Sequence, residues 1–321
     1  MGMTRRERHM PLQHGASTRS EEVRHHYTAE RITMTIEHLV RLAVVLSIML
    51  IVFGFALKST WRDATSLFRS PKSLLRALLS MNVLLPLFAA SMAAVFDLRP
   101  AIAICLVTLA VSPVPPFLPG KQLKLVTHGT YVFGLLGATS LLAIVLAPLT
   151  VALLGFVFSR RLIVSPWVIA RVVALTVLLP FSIGIIVRRL SVRFAERASP
   201  LAGKLGTLLL VVAAVPVLIT LGPAMMSLIG DGTVAAIVAF TLVGLAVGHL
   251  FGGPGPDDRT ALALATAIRH PGVALAIAAG TFPDQTLVAP AMLLYVLIGA
   301  IASAPYVAWR RRLRKRLAAA A

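Results

Sequence analysis

Two helix-breaking interruptions sit inside apolar segments long enough to cross a membrane, and they constrain this chain more than any other feature. One is Ser112-Pro113-Val114-Pro115-Pro116-Phe117-Leu118-Pro119-Gly120, and the other is Arg269-His270-Pro271-Gly272. A proline inside a helix removes a backbone donor and clashes with the preceding turn, at a cost of about 3 kcal/mol. In lipid, where no water reaches the freed carbonyls, such breaks persist only where the backbone is buried in protein or lines a cavity. Two broken spans at corresponding places are the arrangement from which secondary transporters build a midplane binding site.

The chain is 58% hydrophobic and 13% charged, and its apolar runs repeatedly reach the roughly 20 residues that span hydrocarbon, so a polytopic all-α membrane protein is expected. A net charge of +19 would suit a nucleic-acid partner, but the basic residues lie between apolar segments instead of forming one stripe, and no nucleic-acid binding is expected. The single cysteine, Cys105, lies in an apolar run; it excludes an internal disulfide and is expected to be buried and inert.

Residues 1–33 differ in kind, with six arginines, four glutamates, four histidines and no apolar run. They are expected to form a disordered tail ahead of a transmembrane domain over 34–321, with Met34 as an alternative start. The first apolar run is flanked by Lys58 and has no small-residue cleavage pattern, so no cleavable signal is expected.

Bounding charges, prolines and glycines divide the remainder into nine expected spans, at about 37–57, 73–96, 100–120, 130–156, 165–187, 205–226, 233–252, 260–282 and 287–309. Basic connections at Lys58 to Lys72, Lys121 with Lys124, Arg188 to Lys204 and Arg310 to Arg316 all fall on one face, which the positive-inside rule makes cytoplasmic together with the C-terminus. The C-terminal basic run could bind anionic lipid, but topology is the simpler explanation of it, and membrane lipid is expected only as a general partner. The two broken spans correspond if the first half lacks one leading helix, which gives inverted five-helix repeats with the first helix missing.

Arg269 lies nine residues after Thr260, about 14 Å into a core of roughly 30 Å. An arginine at that depth costs about 2.5–3.5 kcal/mol on insertion scales, which argues for a role. Two roles stand open. Arg269 contacts an anionic substrate, or it holds the exposed carbonyls of a broken helix. Apart from Glu37 at the very start of the first, no aspartate or glutamate falls inside a predicted span, so a substrate carboxylate or sulfonate is a candidate counter-ion, helped by the helix N-termini created at the breaks. Burial and the adjacent cation favour a neutral His270 with a hydrogen-bonding role. The candidate substrate-binding set is Arg269, His270, Pro271, Gly272 and Thr266 at the second break, Ser112, Pro113, Pro115, Pro116, Pro119 and Gln122 at the first, and Ser140 in the fourth span. Without an intramembrane carboxylate, a metal-ligand cluster or a nucleophile and base, no enzyme, no metal site and no cofactor is expected.

From about Ile48 to Arg310 the chain resembles the bile acid/sodium symporter family, including its bacterial members. The likeness is carried by Phe53-Gly54-Phe55-Ala56-Leu57-Lys58, Phe68-Arg69-Ser70-Pro71-Lys72, Pro86, Pro113 and Ala147-Pro148-Leu149, and by the stretch from Arg259-Thr260 to Gly272-Val273-Ala274. The resemblance implies two crossover helices in a core domain of about 73–156 and 233–309. A panel of about 37–57 and 165–226 would flank it, in an inner membrane of bacterial type. It also implies sodium ligands from a Glu-x-Gly-x-Gln-Asn motif, whose positions here read Ala265, Ala267, Arg269 and His270. The expectation is therefore a secondary transporter or facilitator of a small organic anion without sodium at the shared site. A symporter with a relocated ion site and a transport-inactive receptor or scaffold are the alternatives.

Overall fold

The structure, a computed structural model, describes residues 38–40, 42–115, 118, 122–126, 129–157 and 166–320. The expected tail over 1–33, and Pro116 and Pro119 of the first interruption, lie outside the described residues. Among those described, every regular element is a helix. In chain order they are α1 (His38–Ala56), α2 (Trp61–Ala64), α3 (Pro71–Leu78), α4 (Leu85–Val95), α5 (Pro100–Val111), α6 (Thr130–Val157), α7 (Pro166–Val173), α8 (Leu179–Leu190), α9 (Val192–Ser227), α10 (Thr233–Phe251), α11 (Pro256–Ala267), α12 (Pro271–Thr281) and α13 (Val288–Ala320).

Proline sets many of these boundaries. Pro71, Pro100, Pro256 and Pro271 each stand in the first turn of a helix, where the missing N–H costs nothing and the fixed φ is already helical. At two prolines within continuing spans, Pro86 and Pro180, the helix widens just ahead of the ring. A π-helical turn at Leu79–Leu84 precedes Pro86 and joins α3 to α4, and another at Ala174–Leu178 precedes Pro180 and joins α7 to α8. The ring of a proline at position i collides with the carbonyl at i−4, and in both cases that carbonyl lies inside the widened turn.

Eight helical stretches among the described residues are long and apolar enough to cross a membrane. In the third expected span the helix α5 runs for 12 residues, Pro100–Val111, about 18 Å at 1.5 Å per residue, and stops where Ser112 turns extended. The sequence also places loops where helices run on. The basic connection Arg188 to Lys204 lies mostly in α8 and α9, whose break is capped by Ser191 Oγ accepting from the Phe194 N–H. The C-terminal basic run likewise continues α13. Its first member, Arg310, is buried, with Nε donating to Thr260 Oγ1 at 2.7 Å and Nη2 to the Pro256 carbonyl at 2.6 Å. That arginine fastens the start of α11, while Arg311, Arg312, Arg314, Lys315 and Arg316 stay exposed.

The half-helix α11 is the most enclosed element, with every residue from Thr260 to Ala267 buried. Its alanines share one apolar cluster with Met81, Leu135, Leu136, Val177 and Phe181, whereas α5 joins α4, α10 and α13 in a second around Ile102, Leu109, Phe240 and Tyr295. Along α10, Gly244, Gly248 and Gly252 recur every four residues and lie against α11 backbone, which brings the two helices into backbone contact.

Asp63 ties the connection after α1 to the start of α6. One carboxylate oxygen accepts from the Thr60 N–H at 3.0 Å and the Thr60 hydroxyl at 2.7 Å, and the other from the Thr130 hydroxyl at 2.8 Å. Burial pushes its pKa up, but the bonds from Thr60 and Thr130 and the charge of Arg188 outweigh it and leave the pKa below the usual value. A depressed folded pKa contributes stability above the unfolded value near 3.9, and that contribution is lost as pH falls through the folded value. Asp63→Asn is therefore expected to lower stability at pH 7, and the gap from wild type should close as pH falls through the depressed pKa of Asp63. Melting curves in detergent across that range check this.

Candidate functional site

The two interruptions meet. α5 ends at Val111 and Ser112 is extended; α11 ends at Ala267, Ile268 and His270 are extended, and α12 begins at Pro271. The His270 N–H donates across the gap to the Pro113 carbonyl at 3.0 Å and to Ser112 Oγ at 3.0 Å, while the Ser112 hydroxyl donates back to the Leu109 carbonyl at 2.7 Å. Residues about 158 positions apart in sequence are thus joined as two short extended strands would be.

Arg269 fills the end of α5. Its Nη2 donates to the Ala110 carbonyl at 2.9 Å and its Nε to the Leu109 carbonyl at 3.3 Å, and the side chain is 1% exposed. A helix C-terminus carries orphan carbonyls and partial negative charge, so a guanidinium there satisfies both. Nη1 has no acceptor. His270 caps the other half-helix, its Nδ1 accepting from the Val273 N–H at 3.3 Å. An accepting Nδ1 carries no proton, which is the neutral ring expected from the sequence, with the remaining proton on Nε2.

A residue missed from the sequence completes the junction. Tyr295 on α13 accepts from the Arg269 N–H at 3.0 Å and donates to the Ala267 carbonyl at 2.7 Å, pairing two backbone groups that the break in α11 leaves free. It was legible only as a tyrosine in an otherwise apolar span. Tyr295→Phe leaves both backbone groups buried and unpaired, and is expected to cost about 1–3 kcal/mol. A melting temperature unchanged from wild type would contradict this.

The remaining candidates divide. Thr266 shares a hydrogen bond of 2.7 Å with Ser80 in the widened turn before α4, another group the sequence did not single out. Gln122 Nε2 donates to the Ala261 carbonyl at 2.6 Å and leaves Oε1 without a partner. Pro113 and Pro115 are buried in the extended segment, and Gly272 follows Pro271 in the first turn of α12. Ser140 is buried on α6 and its hydroxyl has no partner. A cavity of about 280 Å³ opens at the opposite end of α11, lined by Ser66, Ser70, Ser73, Thr130, Tyr131, Asp257 and Asp258 together with Leu67. None of the sequence-predicted site residues lines it.

Broken helices whose interruptions meet in a buried junction restrict the classes of membrane protein this can be, and the comparison with known families decides among them. The model of the Sodium Bile acid symporter family matches residues 44–227, more than half of the chain. The chain belongs to that family. No curated protein matches it. Sodium bile acid symporter family membership makes it a multi-pass membrane protein of transporter type. The matched region contains α5 and the first break but ends before α10, so Ala265, Ala267, Arg269 and His270 lie in the part of the chain outside the match.

Proposed function

We propose that this member of the sodium bile acid symporter family moves a small organic anion across the membrane without sodium at the family's shared site. The observation that carries the reading is the Arg269 guanidinium at the junction of the two breaks, buried, held on the α5 carbonyls by two of its nitrogens and free at the third. A sodium ion needs oxygen ligands, and the carbonyls of Leu109 and Ala110 already accept from the arginine. A sodium ion about 4 Å from that guanidinium would be opposed by about 4 kcal/mol at an effective dielectric of 20, close to a thousandfold in affinity. The residues at 265–270 therefore do not fit sodium, and the arginine supplies the positive charge that the ion would bring.

In this reading nine spans form inverted repeats, with the junction near the midplane of a bacterial-type inner membrane and the C-terminus in the cytoplasm. The core moves against the panel to expose Arg269 to each side in turn. Ser112, His270 and Tyr295 keep the broken backbone satisfied during that motion, Thr266 ties α11 to Ser80, and Nη1 is left for the substrate carboxylate or sulfonate. A relocated sodium site would draw on Ser140 Oγ and Gln122 Oε1, both buried and unpartnered.

A thermal-shift screen of carboxylates and sulfonates separates the two. The expected result is stabilisation by an organic anion to the same degree in sodium and in choline buffers. Stabilisation confined to sodium buffers overturns the sodium-free reading and favours the relocated site.

A further inference from the structure

A buried cation with an idle donor asks for an acceptor, and none of the described residues of the junction supplies one. Arg269 forms no ion pair with any described carboxylate; the recorded ion pair joins Arg99 to Asp231, outside the junction. The two acceptors that Arg269 has are neutral carbonyls, and Nη1, with two N–H bonds, has nothing to donate to. One residue on, His270 Nε2 is a second sealed donor without an acceptor, in a side chain 3% exposed. Buried donors in folded proteins are paired, and a buried charge without a partner is among the costliest arrangements in an interior. Water would take up the N–H bonds and leave the charge. An anion answers both.

The same enclosure sets its size. Ser112, Thr266, Ala265 and Ala267 around the junction are 0% exposed and Nη1 itself is sealed, so a ligand enters only as these side chains give way slightly, which suits a monatomic anion and not one with a carbon skeleton. The idle atoms of Arg269 and His270 are N–H donors, and no described residue bonded across the junction leaves a side-chain oxygen idle to repel an anion. α12, an 11-residue helix, starts two residues after Arg269 and adds the positive end of its dipole to the second break. The geometry points to a resident inorganic anion of the halide class against Arg269 Nη1, holding the counter-charge of the closed junction until an organic anion replaces it. The exchange rests on the transport reading above; the halide site does not.

The test is binding of ³⁶Cl⁻ to the purified full-length protein by scintillation proximity, in sodium sulfate and in choline sulfate at matched ionic strength. Saturable binding, equal in the two backgrounds and displaced by bromide, is expected for wild type, with at least a tenfold loss in Arg269→Gln. Absence of saturable binding to folded wild type overturns the proposal, as does undiminished binding to a folded Arg269→Gln. If that variant does not fold, X-ray absorption of the bromide-loaded wild type decides. A bromide with nitrogen neighbours supports the site, and a fully hydrated bromide overturns it. Chloride binding by a protein that moves no organic anion keeps the site and ends the transport reading. Organic anion transport without chloride binding does the reverse.

Discussion

Arg269→Gln is expected to weaken organic anion binding by about 10- to 150-fold, the loss of one charge-assisted hydrogen bond worth about 1.5–3 kcal/mol. Glutamine is the informative replacement because its amide can still donate to the α5 carbonyls, so the junction keeps part of its fastening while the charge goes. Lysine keeps the charge but concentrates it on one nitrogen, which cannot reach Leu109, Ala110 and a ligand in the planar geometry of a guanidinium. An intermediate loss is therefore expected for Arg269→Lys. Calorimetric titration of the three proteins with the best anion from the thermal-shift screen gives the numbers. Undiminished affinity in Arg269→Gln would assign Arg269 wholly to holding α5.

Gly248→Leu is expected to leave no monodisperse protein, and Gly248→Ala to lose at least 1–3 kcal/mol. A Cβ on Gly248 would fall 2.5 Å from Ala263 Cα and 2.5 Å from the Leu262 carbonyl oxygen, and one on Gly244 would fall 2.7 Å from Ala267 Cα. Those are backbone atoms of α11, which cannot turn aside as a side chain does, so the helices must part. Overpacking typically costs about 1–3 kcal/mol and more where backbone has to move. Parting α10 from α11 would also shift Ala267 and, through it, the Tyr295 and Arg269 bonds. Gly203→Ala is the control. It lies in α9 with nothing within 4 Å of an added Cβ, and a helical glycine replaced by alanine there is expected to be neutral or slightly stabilising. Size-exclusion profiles after stepwise heating would rank the variants, and a Gly248→Ala protein as stable as Gly203→Ala would contradict the packing argument.

How much of this was legible in the sequence follows from the range of each interaction. The breaks at Pro113 and Pro271 could be read directly, because a missing donor and a fixed φ act on the residue's own turn. The expectation of a neutral, hydrogen-bonding His270 also rested on local features, while its place as the cap of α12 came only with the structure. The charged stretches misled, since Arg193, Arg197 and Lys204 were read as a connection and lie instead in α9. Arginine and lysine are good helix formers, and charge alone does not end a helix that Ser191 has capped. The partners of Arg269 could not be read at all. Which carbonyls it meets depends on how α5 and α11 are set against each other across about 159 residues, a register fixed by the packing of α11 on α10 and by Tyr295. Ser80 and Tyr295 went unnoticed for the same reason, as each answers a backbone or hydroxyl group that is distant in sequence.

With the fixed positive charge of Arg269 in place of sodium at the family's shared site, transport should be indifferent to that ion. Uptake of the stabilising anion into proteoliposomes, with an inward sodium gradient compared against an equal choline gradient at zero membrane potential, should show the same initial rates under both gradients and at least a tenfold lower rate in Arg269→Gln. Uptake that collapses when choline replaces sodium would contradict this.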